Sequence, residues 1–258
     1  MKFLDKFFTV DAAKKSIKKT HNDALQAYNK GYILLKMHKF EQAIIAYDLA
    51  EQLWGEEIDM LKLHGDYEAA KRLTSDVMNI WYSKIYANYM LERYNASLEL
   101  LGKVLENVPD DPENLFRKGF VLYTAQRYDE ALIYLETALE KYREFPEAWY
   151  CKGNVLRELR NYEAALAAFD QSISCSKPLH FRFPQFTWIP LTSSSRIKMD
   201  NAEAWYCKGE IFFRQKRYEE ALEAFNQSLN IKPGFEDAVK FREIVLQEMG
   251  KNKNNKKD

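Results

Sequence analysis

Residues 202–235 read AEAWYCKGEIFFRQKRYEEALEAFNQSLNIKPGF, and residues 146–174 read PEAWYCKGNVLRELRNYEAALAAFDQSIS, the same pattern a second time. An internal repeat of this length decides more than any single residue. Stacked helical units bury a core only against their neighbours, and they leave a long grooved surface whose usual work is binding. The expected function is therefore recognition, not chemistry.

The period extends outward from these two copies. The aromatic residue that opens each second helix recurs as Phe40, Tyr67, Tyr94, Tyr128, Tyr162 and Tyr218, at spacings of 27, 27, 34, 34 and 56 residues. The last spacing is one 34-residue period followed by a 22-residue insertion. A small residue three places on keeps step as Ala43, Ala70, Ser97, Ala131, Ala165 and Ala221. Trp54, Trp81, Trp149 and Trp205 share one place in their tiles, with Leu115 standing there between the second and third.

These residues resemble the tetratricopeptide repeat (TPR), a 34-residue helix-turn-helix with the pattern W-x2-L-G-x2-Y, A-x3-F, P. In the final tile Trp205, Gly209, Phe212, Tyr218, Ala221, Phe225, Ser228 and Pro233 occupy repeat positions 4, 8, 11, 17, 20, 24, 27 and 32. Small residues at 8, 20 and 27 let paired helices approach, and large ones at 4, 11, 17 and 24 fill the space between. The resemblance implies an all-α, helix-turn-helix repeat solenoid, a right-handed superhelix with one apolar insertion. Its expected tiles are 24–50, 51–77, 78–111, 112–145, 146–179 and 202–235, with a capping helix at 236–249. The insertion spans 178–201, an amphipathic helix 1–23, and a disordered basic tail 250–258.

The N-terminal tiles depart from the pattern. Those at 24–50 and 51–77 have 27 residues and lack the last two helical turns, and Ile58 and Ile85 replace the small residue at position 8. With no Gly or Pro between Tyr67 and Arg93, the second helix of one tile is free to fuse with the first of the next, whereas Gly55 is expected to break the equivalent earlier join.

Composition agrees with a helical repeat protein. Of 258 residues 47% are hydrophobic and 29% charged, with nine glycines, so there is ample core and few breakers. Lys+Arg and Asp+Glu are equal at 38, which gives no global field for nucleic acid or an anionic membrane. The three cysteines, Cys151, Cys175 and Cys207, point to a reducing, cytoplasmic setting, and Cys151 and Cys207 hold one repeat position. No span long enough for a bilayer is present. Phe3, Leu4, Phe7 and Phe8, followed by Lys14, Lys15, Lys18 and Lys19, form either a helix packed on the first repeat or a membrane-surface or partner helix. The second option makes a peripheral membrane-assembly factor the alternative function.

Catalytic and metal constellations are not expected. His21, His38, His64 and His180 are scattered, and the sequence has no phosphate loop, nucleophile elbow or C-x2-C pair, so no cofactor and no metal is assigned.

The informative surface is the stripe that the resemblance places on the concave face, repeat positions 2, 5, 9 and 12. Its candidate partner-binding residues are Tyr82, Tyr86, Tyr89, Phe116, Phe120, Tyr123, Tyr150, Asn154, Arg157, Tyr206, Glu210 and Phe213. They serve either as scaffold packing or as aromatic anchors for a partner protein or peptide. Members that clamp a chaperone's C-terminal carboxylate need cations at positions that here hold Tyr82, Phe116, Tyr150 and Tyr206, or Glu113, Glu147 and Glu203, so that partner is disfavoured. The insertion carries Phe181, Phe183, Phe186 and Trp188 between prolines. Three readings stay open for it: a cover over its own repeats, a projecting recognition segment, or a plug in the groove.

Overall fold

The computed structural model describes residues 10–175 and 201–254. Among them are eleven helices and no strand, in two compact units that divide between Asn107 and Val108. The first holds α1 (Val10–Lys36), α2 (Phe40–Leu63), α3 (Tyr67–Met90) and α4 (Tyr94–Asn107). The second holds α5 (Pro112–Thr124), α6 (Tyr128–Lys141), α7 (Pro146–Glu158), α8 (Tyr162–Ser174), α9 (Ala202–Arg214), α10 (Tyr218–Ile231) and α11 (Glu236–Asn254).

All six period-marking aromatics are the first residues of helices, α2, α3, α4, α6, α8 and α10. The turns before them share one construction. At 125–127, Gln126 takes a left-handed φ of 60°, its N–H donates to Tyr123 O, and the Arg127 N–H donates to Leu122 O. The same pair of bonds closes the turns at His38, Gly65, Glu92, Arg160 and Lys216. This is the double hydrogen bond that satisfies the orphan carbonyls of a helix end, and it prefers glycine at the left-handed residue. Only Gly65 provides one.

The 27-residue period of the first unit is one 24-residue helix and a three-residue turn. Gly55 does not break α2, contrary to expectation: it sits mid-helix, where a single glycine weakens but does not end a helix held by packing. Ala43, Tyr47, Ala50 and Trp54 of α2 share one core with Ala24 and Ala27 of α1 and with Leu73, Val77 and Ile80 of α3. Tyr47 lies so close to Gly31 that a Cβ there would stand 2.9 Å from its ring. The Lys84 ammonium holds both Asp48 and Glu51 at 2.6 Å, and the Trp81 indole donates to Glu51 at 2.7 Å. Burial works against the Glu51 charge, but these donors hold its carboxyl below the ordinary value.

In the second unit the first helices are 13 residues long and the second 13 or 14. The glycine at position 8 admits the large residue at 24: a Cβ at Gly153 would meet Phe169 at 2.7 Å, and one at Gly209 would meet Phe225 at 2.6 Å. Ala131, Ala165 and Ala221 are fully buried. Ser172 and Ser228 are buried too, and each donates to the carbonyl that begins its own tile, Pro146 O at 2.9 Å and Ala202 O at 2.8 Å. Across the insertion the stack resumes without a gap. Asn201 Nδ2 donates to Ile173 O at 3.2 Å, and Ala165 and Phe169 share a core with Cys207 and Ile211.

Two expected boundaries differ from the observed ones. Helix α1 runs unbroken through the joint placed at 23/24, because the sequence around it, KKTHNDALQ at 18–26, holds no glycine or proline to stop a helix. Helix α11 continues to Asn254, so 250–254 is helical where a tail was expected, with Lys251 paired to Glu248 at 2.7 Å. Residues 1–9 and 255–258 lie outside the described residues, and so does the insertion from 176 to 200.

Candidate functional site

A pocket of about 260 Å³ opens in the second unit, lined from α5, α7, α9 and the residue before α11. Of the twelve stripe residues expected from sequence it gathers seven: Phe120 and Tyr123 from α5, Tyr150, Asn154 and Arg157 from α7, Tyr206 and Glu210 from α9. The one-turn spacing of positions 5, 9 and 12 puts these side chains on one helical face, and the repeat sets the three faces side by side.

Arg157 is the electrostatic centre. Its guanidinium donates to Glu210 Oε2 at 2.7 Å and to Cys207 Sγ at 3.4 Å, joining α7 to α9. Burial works against its charge, and the Cys207 sulfur and the Glu210 carboxylate more than restore it, so Arg157 stays protonated. Burial pushes the Cys207 thiol up to about 11 despite the nearby guanidinium, and it is a proton donor to Asn154 Oδ1 at 3.7 Å. Burial likewise raises Tyr123 to about 12, and raises Tyr150 and Tyr206 as well, with Cys207 adding to the shift at Tyr150 and Glu210 at Tyr206. The tyrosines are therefore neutral hydroxyl groups. Glu203 at the rim accepts from Lys232 at 3.3 Å. The charges that line the pocket thus meet a partner of opposite sign within the protein.

The remaining stripe residues lie elsewhere. Tyr82, Tyr86 and Tyr89 belong to α3 in the first unit, where Tyr82 is buried, Tyr86 stands edge-on to Phe40 at 5.8 Å, and Tyr89 packs on Tyr94 at 5.8 Å. Phe116 is buried against Phe145, with ring centroids 4.9 Å apart, and is a core residue rather than an anchor. Phe213 turns to Tyr218 and to Phe241 of α11. The insertion residues Phe181, Phe183, Phe186 and Trp188 lie outside the described residues.

Sequence reasoning missed three lining residues, Cys151, Cys207 and Phe235, whereas Glu203 stands at position 2 of the expected stripe. The signal was present for two of them: Cys151 and Cys207 share repeat position 6, next to the stripe tyrosines Tyr150 and Tyr206. Phe235 stacks on Tyr206 at 5.1 Å, a contact made by the chain entering α11 that no position within the repeat announces.

Acidic position 2 behaves unlike a solvated rim. Glu113 and Glu147 are buried, and Glu147 Oε2 has no hydrogen-bond partner. Burial raises the Glu147 carboxyl above the ordinary value, and Glu113 adds to the shift. Among the described residues no three potential metal ligands cluster, and no helix is long and apolar enough to cross a membrane.

Comparison with known proteins agrees with this architecture. Tetratricopeptide-repeat family models match residues 116–177 and 202–235. No curated protein matches the sequence. Among solved structures, YrrB, a TPR protein with an unusual peptide-binding site, is 21% identical with a TM-score of 0.56, covering 90% of this chain and 98% of its own. The MamA protein is 18% identical with a TM-score of 0.53, covering 67% and 82%. A thermophilic TPR protein of Thermus thermophilus is 16% identical with a TM-score of 0.51, covering 84% and 99%. At these identities the likeness is one of fold.

Proposed function

Because the chain is a tetratricopeptide-repeat protein, and such repeats serve protein–protein interaction, we propose that it is a non-enzymatic adaptor that holds a partner peptide in the pocket of its second unit. The observation that carries the reading is the convergence of Tyr123, Tyr150, Tyr206 and Phe235 with Asn154 and the Arg157–Glu210 pair on one pocket of about 260 Å³. Large rings supply contact area with little rotamer entropy to lose, and fixed polar groups orient a main chain. YrrB, of like fold, is a peptide-binding protein by its description, which supports this use of the surface on fold grounds.

The charge balance narrows the partner. With Arg157 answered by Glu210 and Glu203 by Lys232, neither a carboxylate nor an ammonium finds an uncompensated charge in the pocket. The side chain seated there is uncharged, apolar or aromatic. Catalysis has no place in this reading: burial holds Cys207 as a thiol, the poorly nucleophilic form.

The test is a random-peptide display selection on the full chain. Selected peptides are expected to converge on uncharged residues, with affinities that change by less than about threefold from low to high salt, since screening acts on unpaired charges. Convergence on an acidic or basic motif with a steep salt dependence would overturn the proposal.

A further inference from the structure

The expected stripe holds two charged residues, Arg157 at position 12 of one tile and Glu210 at position 9 of the next, and the fold brings these two together. Every other stripe residue is aromatic except Asn154. Arg157 Nη1 donates to Glu210 Oε2 at 2.7 Å, and the two side chains keep 18% and 16% of their surface exposed. The stack does not depend on this pair. Helices α7, α8 and α9 already share a core that includes Leu156, Ala165, Phe169 and Ile211, and the Lys208 ammonium pairs with Asp170 between α8 and α9. An ion pair taken this far out of water adds little net stability, because desolvation offsets the attraction. What the pair does set is the charge that the pocket shows to an occupant. Either group alone, in a partly desolvated wall, attracts the opposite charge, and together they attract neither.

Each member also has a second hold. Arg157 donates to Cys207 Sγ at 3.4 Å and to Glu158 Oε1 at 3.3 Å, and Glu210 faces the Tyr206 hydroxyl. Neutralising one member therefore leaves the other at the pocket with its charge unanswered. Given the peptide-binding reading of this pocket, we propose that Arg157 and Glu210 are its specificity determinants: paired, they reject charged side chains, and singly Glu210 selects a cationic partner residue and Arg157 an anionic one. A lysine brought to the intact pair gains Glu210 only by facing Arg157, and a glutamate gains Arg157 only by facing Glu210, so both lose hydration without recovering it.

The test pans one random-peptide library on four forms of the full chain: the natural sequence, Arg157→Gln, Glu210→Gln and both substitutions together. Glutamine keeps a polar side chain at each place and removes its charge. The expected consensus is uncharged for the natural chain, basic for Arg157→Gln, acidic for Glu210→Gln and uncharged again for the double variant. A peptide selected on Arg157→Gln is expected to bind that variant at least about tenfold more tightly than the natural chain, the lower end of coupling between close charges. Its affinity should fall as salt rises. A mere strut between helices would weaken binding of one consensus without changing its charge. If circular dichroism shows that Arg157→Gln has lost its helices, the Glu210→Gln arm decides, and on the natural chain Lys and Glu placed in turn at the seated position of its selected peptide should both weaken binding. One uncharged consensus on all four forms, lost in Tyr123→Ala with Tyr206→Ala, overturns this proposal and leaves the pocket as the binding surface. So does a consensus of the opposite sign. A consensus that survives in the tyrosine variant as well places the partner elsewhere and overturns both.

Discussion

The two units use one set of turns to reach different ends. In the first, a 24-residue helix and a three-residue turn repeat every 27 residues, and helices run on through the places where a repeat would pause. In the second, helices of 13 or 14 residues repeat every 34, with Pro112 and Pro146 opening α5 and α7. The stripe residues of the two units also differ in their surroundings. In α3, Tyr86 packs on Phe40 and Tyr89 on Tyr94, while Phe120 and Tyr123 of α5, Tyr150, Asn154 and Arg157 of α7, and Tyr206 and Glu210 of α9 line one pocket.

The largest expected effect comes from crowding the shorter helices. Ala165 is fully buried at the α7–α8 approach, and Ala165→Leu is expected to destabilise the second unit by about 1–3 kcal/mol through overpacking. Hydrogen exchange should show the loss in α7 to α10 with α1 to α3 still protected, as nearest-neighbour coupling implies. Equal loss throughout would erase the distinction between the units.

Glu147 gives a pH-dependent test within the second unit. Its folded carboxyl lies above the ordinary value, so the folded state favours the proton, and that contribution is lost as pH rises through the raised value. Glu147→Gln is therefore expected to stabilise by about 1–2 kcal/mol at neutral pH, the cost of burying an unanswered polar group. The gain should vanish as pH falls below the ordinary carboxyl range, and denaturant melts at several pH values will show it. A destabilised variant at neutral pH would mean that the carboxylate is held in its charged form.

The shared turn predicts opposite signs in the two units. Gly65 has φ of +79°, and Gly65→Ala is expected to destabilise the first unit by about 1 kcal/mol. Gln126, in the same conformation, is expected to gain a similar amount on Gln126→Gly. Thermal melts that move the same way for both would show that the turns differ. The smallest effect is at Gly55, where a Cβ meets nothing within 4 Å: Gly55→Ala should stabilise α2 by about 0.5–1 kcal/mol if the helix is continuous there, and weaken it if the chain breaks.

Much of this architecture was legible in the sequence because packing imposes residue size at fixed intervals. Ala43, Ala70, Ser97, Ala131, Ala165 and Ala221 are all buried, and each opening aromatic begins its helix. Helix ends that depend on continuity were less legible: a lone glycine such as Gly55 carries no mark that says whether neighbours hold the helix together across it. The pocket was half legible. Helical periodicity puts positions 5 and 12 on one stripe but does not separate them by depth. Position 5 sinks into the core at Tyr82, Phe116 and Tyr150, while Tyr123 and Arg157 at position 12 stay half-buried and reachable. Phe235 was invisible because its contact with Tyr206 depends on where α11 returns.

The central claim is that the second unit, not the first, holds the partner. It is tested most directly by measuring the affinity of one display-selected peptide for two double variants of the full chain. Tyr123→Ala with Tyr206→Ala is expected to weaken binding about thirtyfold, the loss of about 2 kcal/mol typical of a central aromatic anchor. Tyr86→Ala with Tyr89→Ala is expected to leave it within about twofold, since alterations outside a contact are near-neutral. Full affinity in the first variant, with its helical signal retained, or an equal loss in both, would contradict the account.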